Sequence, residues 1–291
     1  MKILNYGSIN IDSVYTVPRI VRPGETLSST GLQTFAGGKG ANQSVALAKA
    51  GAKVWQAGKI GQDGTWILEK LEGYGVNTDL VHQYQGPTGQ AFIQVTPEAQ
   101  NSIVLFGGGN LKITQQEIDH TLSHFSQGDF LVLQNEINET PYIITAAKRK
   151  GLHICLNPAP FEDAILSWPL DLVDILMVNE IEAEGLSRSS GSLEERLTAM
   201  THRFQDTDII LTAGESGAFF GRNDQRIHTP VVKAEVRDTT AAGDTFLGFY
   251  LASVIAGSDA GAAMERASRA AGITVSRQGA MDAIPFAGEV A

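Results

Sequence analysis

Short apolar runs recur along the chain and predict buried strands. In the second half they alternate with helix-length segments, and two further helices are predicted after Gly243 and after Ser258. Strands that alternate with helices predict a mainly parallel sheet covered by helices on both faces. The predicted strands are residues 3–9, 53–60, 130–134, 152–156, 173–178 and 208–211.

Two segments depart from this rhythm. Residues 13–36 alternate loosely and are interrupted by Pro18, Pro23 and Gly24, whereas residues 89–106 form two alternating runs around a turn at 97–100. This pattern predicts antiparallel strands. Segments 13–36 and 86–107 are therefore expected to form a small β layer outside the main sheet, as a lid or a subunit contact.

Polar residues follow most of the predicted strands. Ligands bind at the carboxyl ends of the strands in open parallel sheets, so these positions are candidate site residues. Asn10 and Asp12 are two apart, so both point to one side of an extended segment, where they would bracket neighbouring sugar hydroxyls. An Asx turn is an equal alternative for this pair. The strand-exit residues are Asn10, Asp12, Glu136, Asn157, Asn179 and Thr212.

A glycine-rich turn, Gly-Gly-Lys-Gly-Ala-Asn-Gln at 37–43, opens a predicted helix of small residues over 44–50. Such a turn can cradle an anion, but its spacing is neither that of a P-loop nor that of a dinucleotide-binding turn. Together with Asn10 and Asp12, it places Gly38, Lys39 and Asn42 near one polar face.

The stretch 238–246, Asp-Thr-Thr-Ala-Ala-Gly-Asp-Thr-Phe, leads into an apolar helix over 247–256. The small residues at 241–243 let a ligand approach the backbone, and the free amides of the first helical turn form an anion site. Asp244 is placed to take a proton from a hydroxyl while those amides hold the charge on a transferring phosphoryl group. Asp is also a favoured helix cap, so a structural role is the alternative.

Amino-acid composition excludes several classes of partner and site. The 291 residues are 43% hydrophobic and carry a net charge of −10, which argues against nucleic acid or an anionic membrane as a partner. The single cysteine, Cys155, excludes an internal disulfide and is predicted to be a buried structural thiol. The apolar start is too short for a signal peptide, and no apolar helix reaches the ~20 residues of a membrane span. A cytoplasmic enzyme is expected.

Taken together, the motifs resemble those of the ribokinase-like carbohydrate kinases, over nearly the whole chain. The similarity is closer to the ribokinase members than to the fructokinases or adenosine kinases. It implies a single α/β sugar-kinase domain over residues 1–291, with 13–36 and 86–107 as lid segments. The resembling pieces are Asn-Ile-Asp (10–12), the turn at 37–43, Leu-Gln-Asn-Glu-Ile (133–137), Asn-Pro-Ala-Pro (157–160), Asn-Glu-Ile-Glu-Ala-Glu (179–184) and the stretch 238–246.

The resemblance assigns roles to these residues. Asp244 would be the catalytic base, and the amides of Ala241, Ala242 and Gly243 would stabilise the γ-phosphoryl group. Lys39 is grouped with the sugar site, with a phosphate contact or a solvated side chain as alternatives. The sugar would bind Asn10, Asp12, Gly38, Lys39, Asn42 and Glu136, and ATP would bind Asn179, Thr212, Gly214, Ser268 and Ala271.

Cofactors and assembly also follow from the resemblance. Mg²⁺ would be held mostly through water, with Glu182 nearby, and K⁺ would bind in a loop beside the anion site. Two positions depart from the family: Ala283 stands where a serine is frequent in the cation loop, and Ser268 where an asparagine is frequent near adenine. A homodimer through the lid is expected. The implied K⁺ positions are Asp238, Thr240, Thr274, Arg277 and Gly279.

The resulting functional hypothesis is ATP-dependent phosphorylation of the primary hydroxyl of a pentose, with D-ribose giving ribose 5-phosphate. One alternative is the same chemistry on a ketohexose or a nucleoside. The other is a non-catalytic sugar-binding protein on the same scaffold, against which the intact Asp244 and Ala-Ala-Gly turn argue.

Overall fold

The structure is a computed structural model that describes residues 1–98 and 100–290. It contains two β-sheets and eight α-helices in this part of the chain. The strands are β1 Ile3–Tyr6, β2 Asn10–Thr16, β3 Gly31–Gly37, β4 Val54–Ile60, β5 Asn77–Gln83, β6 Gly89–Val95, β7 Asn101–Phe106, β8 Phe130–Gln134, β9 His153–Asn157, β10 Ile175–Val178, β11 Asp208–Thr212, β12 Ala218–Arg222 and β13 Gln225–Thr229. The helices are α1 Lys39–Lys49, α2 Thr65–Gly73, α3 Gln115–Leu122, α4 Thr140–Arg149, α5 Glu180–Ser187, α6 Leu193–Arg203, α7 Ala242–Ile255 and α8 Ala260–Val275.

The main sheet has nine strands in the order β13-β12-β11-β10-β9-β8-β1-β4-β5. The seven strands from β11 to β5 run parallel, and β12 and β13 add an antiparallel edge. The central strands are buried on both faces, which explains why they read as continuous apolar runs.

Helices cover both faces of this sheet. Successive residues of β1 point to opposite sides, so Ile3 packs with α1, α2, α7 and α8, whereas Leu4 packs with α3, α4, α5 and α6. Cys155 lies fully buried in the first of these two cores. No helix of the described residues is both long and apolar enough to cross a membrane.

A separate four-stranded sheet has the order β3-β2-β6-β7, with β2 and β6 parallel and the outer pairs antiparallel. Its strands come from the two segments that were predicted to leave the main sheet. The predicted turn at 97–100 includes Ala99, which lies outside the described residues.

Several elements differ from the sequence-based expectation, among them β1, which ends at Tyr6 rather than at residue 9, and α7, which begins at Ala242 rather than at residue 247. Helix α1 begins at Lys39 rather than near residue 44, because Gly38, with φ 94°, starts the helix directly at the glycine-rich turn. Asn10 and Asp12 do not simply follow β1 but form the start of β2 in the small sheet. The antiparallel β12–β13 hairpin was not predicted, since its strands are short and partly exposed.

Candidate active site

The close packing of α1 against α7 builds the centre of the site. A Cβ at Gly248 would lie 2.4 Å from the Cβ of Ala46, so the two helix backbones approach as closely as a missing side chain allows. Asp244 and Asn42 each lie four residues before this contact, on the same helix faces. The packing therefore brings the Asn42 Nδ2 group to within 3.1 Å of Asp244 Oδ2, to which it donates a hydrogen bond.

Asp244 lies in the first turn of α7, buried except for 7% of its surface. The turn before it is tight, since Ala241 adopts a left-handed conformation with φ 60°. Gly243 is exposed, and a Cβ built on it would meet nothing within 4 Å. The Ala242 amide makes a long bond of 3.3 Å to the Thr239 carbonyl. The first turn thus presents main-chain amides beside a carboxylate, with open space in front of Gly243.

A second amide also holds Asp244. Gln43 donates from Nε2 to Asp244 Oδ1 at 3.0 Å and to Asn157 Oδ1 at 3.1 Å, and its own oxygen accepts from Gln134 Nε2 at 2.7 Å. The motifs containing Gln43 and Gln134 were noted in the sequence, but neither residue was assigned a role. The overlooked signal was a polar residue at a buried position of the sheet or of the helix that covers it, where an amide needs hydrogen-bond partners.

Asn10 is buried at the junction of the two sheets. Its Oδ1 accepts a 2.7 Å hydrogen bond from Asn110, whose own Oδ1 accepts from the Ile9 amide. Gly38 packs against the same segment, because a Cβ there would lie 2.8 Å from the Ser8 carbonyl. Asn110 had not been identified from sequence, since it lies in a short 3₁₀ turn far from any motif.

Glu136 follows β8 and is tied to the glycine-rich turn. It accepts hydrogen bonds from the Ser8 hydroxyl and from the Lys39 amide, the latter at 3.1 Å. Burial raises the pKa of Glu136, although these two bonds and the Lys39 charge oppose the change. For Lys39, burial favours a lower pKa, but Asp244, Glu136 and Glu182 together raise it. Lys39 is therefore a cation surrounded by three carboxylates.

Asp12 is another carboxyl group of the site whose pKa is raised. Burial, with a smaller contribution from the Glu136 charge, raises its pKa to about 7. Its side chain fills the space over Gly37, where a Cβ would overlap the Asp12 carboxylate. The Oδ1 atoms of Asp12 and Asn42 are buried with no hydrogen-bond partner among the described residues.

Asn179 and Glu182 form a capping box at the start of α5. Asn179 Oδ1 accepts from the Ile181 and Glu182 amides, and Glu182 Oε2 accepts from the Asn179 amide at 2.7 Å. Burial raises the pKa of Glu182 despite that bond. The described residues contain no cluster of three or more His, Cys, Asp or Glu that could hold a metal by themselves. The Glu182 carboxylate suits Mg²⁺, which keeps several waters and is bound largely by substrate phosphates.

Apart from Asn179, the predicted nucleotide-binding residues lie at the end of β11 and on α8. Thr212 ends β11 and donates to the Val178 carbonyl at 3.3 Å, and Gly214 follows in an exposed turn with φ 45°. Ser268 is buried on α8 and donates to the Pro230 carbonyl at 3.3 Å, with Ala271 half-buried one turn later. The structure thus places Ser268 against the segment that follows β13.

The predicted cation loop is closed by Asp238. Its two oxygens accept from the Thr240 amide at 2.9 Å and from the Gly279 amide at 3.0 Å. Burial alone would raise the pKa of Asp238, but these hydrogen bonds lower it. The Thr274 hydroxyl lies between α7 and α8, 3.0 Å from that of Thr245. A cation in this loop would therefore depend mainly on main-chain carbonyls, including that of Arg277, and Ala283 adds no side-chain oxygen.

Comparison with known proteins identifies the family of this chain. The family described as pfkB family carbohydrate kinase matches residues 1–287. A ribokinase of Staphylococcus aureus is 37% identical over 300 residues, covering 99% of this chain and 98% of that protein. The chain belongs to the pfkB family of carbohydrate kinases. It is an ATP-dependent carbohydrate kinase of the ribokinase type, as the sequence predicted.

Solved structures of ribokinases have the same fold as this chain. The ribokinase of Cryptococcus neoformans in complex with ADP is 34% identical, with a TM-score of 0.88 and coverage of 99% of this chain and 98% of that one. The Arabidopsis thaliana ribokinase complexed with ribose and ATP is 28% identical, with a TM-score of 0.86 and coverage of 99% and 96%. The predicted fold class is confirmed, and the roles of individual site residues stay predictions.

Proposed function

We propose that this pfkB kinase phosphorylates the primary hydroxyl of D-ribose with ATP, giving ribose 5-phosphate, with Asp244 as the general base. The observation that carries the proposal is the Asp244 carboxylate, held by two side-chain amides at the amide-rich first turn of α7. The identity of the sugar is supported by the Staphylococcus aureus relative, a ribokinase, and by the Arabidopsis structure, which is complexed with ribose and ATP.

The sugar would be held by the polar groups between the two sheets. The unpartnered oxygens of Asp12 and Asn42 are buried acceptors, and such atoms need donors. Sugar hydroxyls supply them, and a site of this kind rejects an epimer whose hydroxyl leaves an acceptor unpaired. The sugar-binding set is Asn10, Asp12, Gly38, Lys39, Asn42 and Glu136.

In the proposed step, Asp244 takes the proton of the primary hydroxyl as the alcohol oxygen bonds to the γ-phosphorus and ADP leaves. The amides of Ala241, Ala242 and Gly243 stabilise the charge on the transferring group. A Cβ built on Gly243 would meet nothing within 4 Å, whereas the Ala242 amide already has a long hydrogen bond. Lys39 adds a positive charge near both the base and the phosphates.

ATP would lie across Asn179, Thr212, Gly214, Ser268 and Ala271, with Mg²⁺ neutralising phosphate charge and Glu182 reaching it through water. A monovalent cation in the loop of Asp238, Thr240, Thr274, Arg277 and Gly279 would be bound mainly by carbonyls. Because the Asp238 oxygens and the Thr274 hydroxyl already have partners, we expect activation by K⁺ to be modest.

The test is an ADP-release assay with Mg-ATP over ribose, deoxyribose, fructose, tagatose, uridine and adenosine, in K⁺ and in Na⁺. We expect ribose to give the highest kcat/KM. Asp244→Asn should lower kcat by about 10²–10⁴ fold, the usual contribution of a general base, while sugar affinity is retained.

Other results would replace the proposal. Saturable ADP release with a nucleoside or a ketohexose but not with ribose would show that this compound, and not ribose, is the phosphoryl acceptor. Sugar binding by calorimetry without any turnover would indicate the non-catalytic alternative. Loss of stability in Asp244→Asn with kcat retained would reduce Asp244 to a helix cap.

A further inference from the structure

A continuous chain of buried amides leads from the main sheet to Asp244. Asn5 Nδ2 donates to the Gly40 carbonyl at 2.6 Å, and Asn5 Oδ1 accepts from Gln134 Nε2 at 2.9 Å. Gln134 Nε2 also donates to Gln43 Oε1, and Gln43 Nε2 donates to Asp244 Oδ1. Asn5, Gln43 and Gln134 are fully buried.

The direction of this chain is fixed by main-chain carbonyls. A carbonyl only accepts, so the Gly40 carbonyl orients the Asn5 amide and makes Asn5 Oδ1 the acceptor for Gln134. The Met177 carbonyl does the same for Asn157, whose Nδ2 donates to it at 3.0 Å and whose Oδ1 then faces Gln43. Two independent anchors therefore turn the NH₂ group of Gln43 toward Asp244.

Period-two alternation explains how these groups meet. Asn5, Gln134 and Asn157 each lie two residues after an apolar residue of the α1-facing core, namely Ile3, Val132 and Cys155. They therefore point from three neighbouring strands toward α1, where Gln43 is. Amide groups buried in such a place cost free energy where they are unbonded. All three side chains make hydrogen bonds within the chain, and Gln134 Oε1 is left without a partner among the described residues.

We propose that Gln43 and Gln134 are positioning residues of the phosphoryl transfer, forming an amide relay that fixes the orientation of the Asp244 carboxylate. The inference rests on the proposed role of Asp244 as base. With Gln43 on Oδ1 and Asn42 on Oδ2, both carboxylate oxygens have a donor, so the side chain is held in one rotamer. The remaining lone pairs are left to receive the proton of the substrate hydroxyl.

Gln43→Glu tests the relay by changing one NH₂ group to an oxygen. The introduced carboxyl group would still accept from Gln134 but would face Asp244 with a second acceptor, so the two carboxyl groups must share a proton. We expect kcat at neutral pH to fall about tenfold to a hundredfold, as for a misplaced reacting group. A new ionisation should appear in the kcat–pH profile, with the rate rising as the shared proton is lost.

Gln134→Met removes the donor that orients Gln43 and keeps the volume of the side chain. We expect a lower kcat with little change in the KM for ATP. The matched control is Gln56→Met, because Gln56 is equally buried but, among the described residues, bonds to Ser44 and to main-chain carbonyls and not to Gln43 or Gln134. It meets the relay only through the Ser44 hydroxyl, which accepts from Asn5. This control variant should lose about as much stability in urea while its kcat and pH profile remain those of the parent protein.

The possible results distinguish failure of the amide relay from failure of the proposed role of Asp244 as base. An unshifted pH profile in Gln43→Glu, or equal losses of kcat in Gln134→Met and Gln56→Met, would overturn the relay even if Asp244→Asn is inactive. Full activity in Asp244→Asn would show that Asp244 is not the general base. If Gln43→Glu does not fold by circular dichroism, the comparison of Gln134→Met with Gln56→Met decides alone.

Discussion

At the scale of single residues, the site combines a carboxylate at a helix start, Asp244, with buried amides from other elements, among them Gln43 and Gln134. Asp244 was predicted because a carboxylate next to small residues and a helix start is a recognisable arrangement for catalysis. Gln43, Gln134 and Asn110 hydrogen-bond to other polar side chains, and these contacts depend on which strands and helices are neighbours. That information is in the sheet order and not in local spacing.

Asp12 makes the stability of the protein depend on pH. Its pKa is raised to about 7 by burial and by Glu136, whereas an Asp in the unfolded chain titrates near its ordinary value of 3.8. Between these values the folded state binds more protons than the unfolded state, so the free energy of unfolding contributed by Asp12 falls as pH rises from about 4 to 7. Above about pH 7 the contribution is constant.

We therefore expect Asp12→Asn to reduce this pH dependence. Urea unfolding of the sugar-free protein at about pH 5 and about pH 8, on either side of the raised pKa, should show a steeper loss of stability in the parent protein than in the variant. Glu136 and Glu182, whose pKa values are also raised by burial, contribute in both proteins, so the difference between the two slopes reports Asp12 together with its coupling to Glu136. Parallel curves for the two proteins would show that Asp12 titrates normally.

At the scale of elements, the rule that ligands bind at the carboxyl ends of parallel strands placed Glu136, Asn157 and Asn179 correctly at one edge of the sheet. The rule says nothing about helix pairs. The contact between α1 and α7, which brings Asn42 and Gln43 to Asp244, depends on Gly248 meeting Ala46, a pairing of residues 202 positions apart. Periodicity along one helix does not specify its partner helix.

Gly248→Ala should therefore impair activity through the helix pair. The new methyl group would lie 2.4 Å from Ala46 Cβ and 2.7 Å from its main-chain carbonyl carbon, so the backbones must separate. Overpacking of this kind costs about 1–3 kcal/mol. Because Asp244 and Gly248 share one helix face, we also expect kcat to fall while the KM for ATP changes little.

Gly73→Ala is the control for that substitution. Gly73 also lies in a helix, at the end of α2, but a Cβ there meets nothing within 4 Å. It should be neutral or stabilising, by up to about 1 kcal/mol, because alanine favours helix more than glycine. Thermal unfolding and steady-state kinetics of the two variants make the comparison. Equal behaviour of both would contradict a role for the α1–α7 contact.

At the scale of the whole molecule, the alternation of strands and helices predicted the parallel core, and the antiparallel segments predicted the small sheet. The small sheet leaves an unusual amount of apolar surface exposed. Leu32, Ile103, Val104 and Leu105 are each more than half exposed, and Phe35, Phe92 and Phe106 of the same sheet also reach the surface. Contiguous apolar patches of this kind mark interaction surfaces.

We expect this sheet to pair two copies of the chain. An isologous contact would cover the apolar strands β6 and β7 in both subunits at once, and charge at its centre would be costly to bury. Val104→Glu should therefore shift sedimentation from dimer to monomer at micromolar concentration. Trp66→Glu, at an exposed apolar position of α2, is the control and should leave the mass unchanged. A parent protein that sediments as a monomer would contradict the expectation and leave the sheet to act as a lid alone.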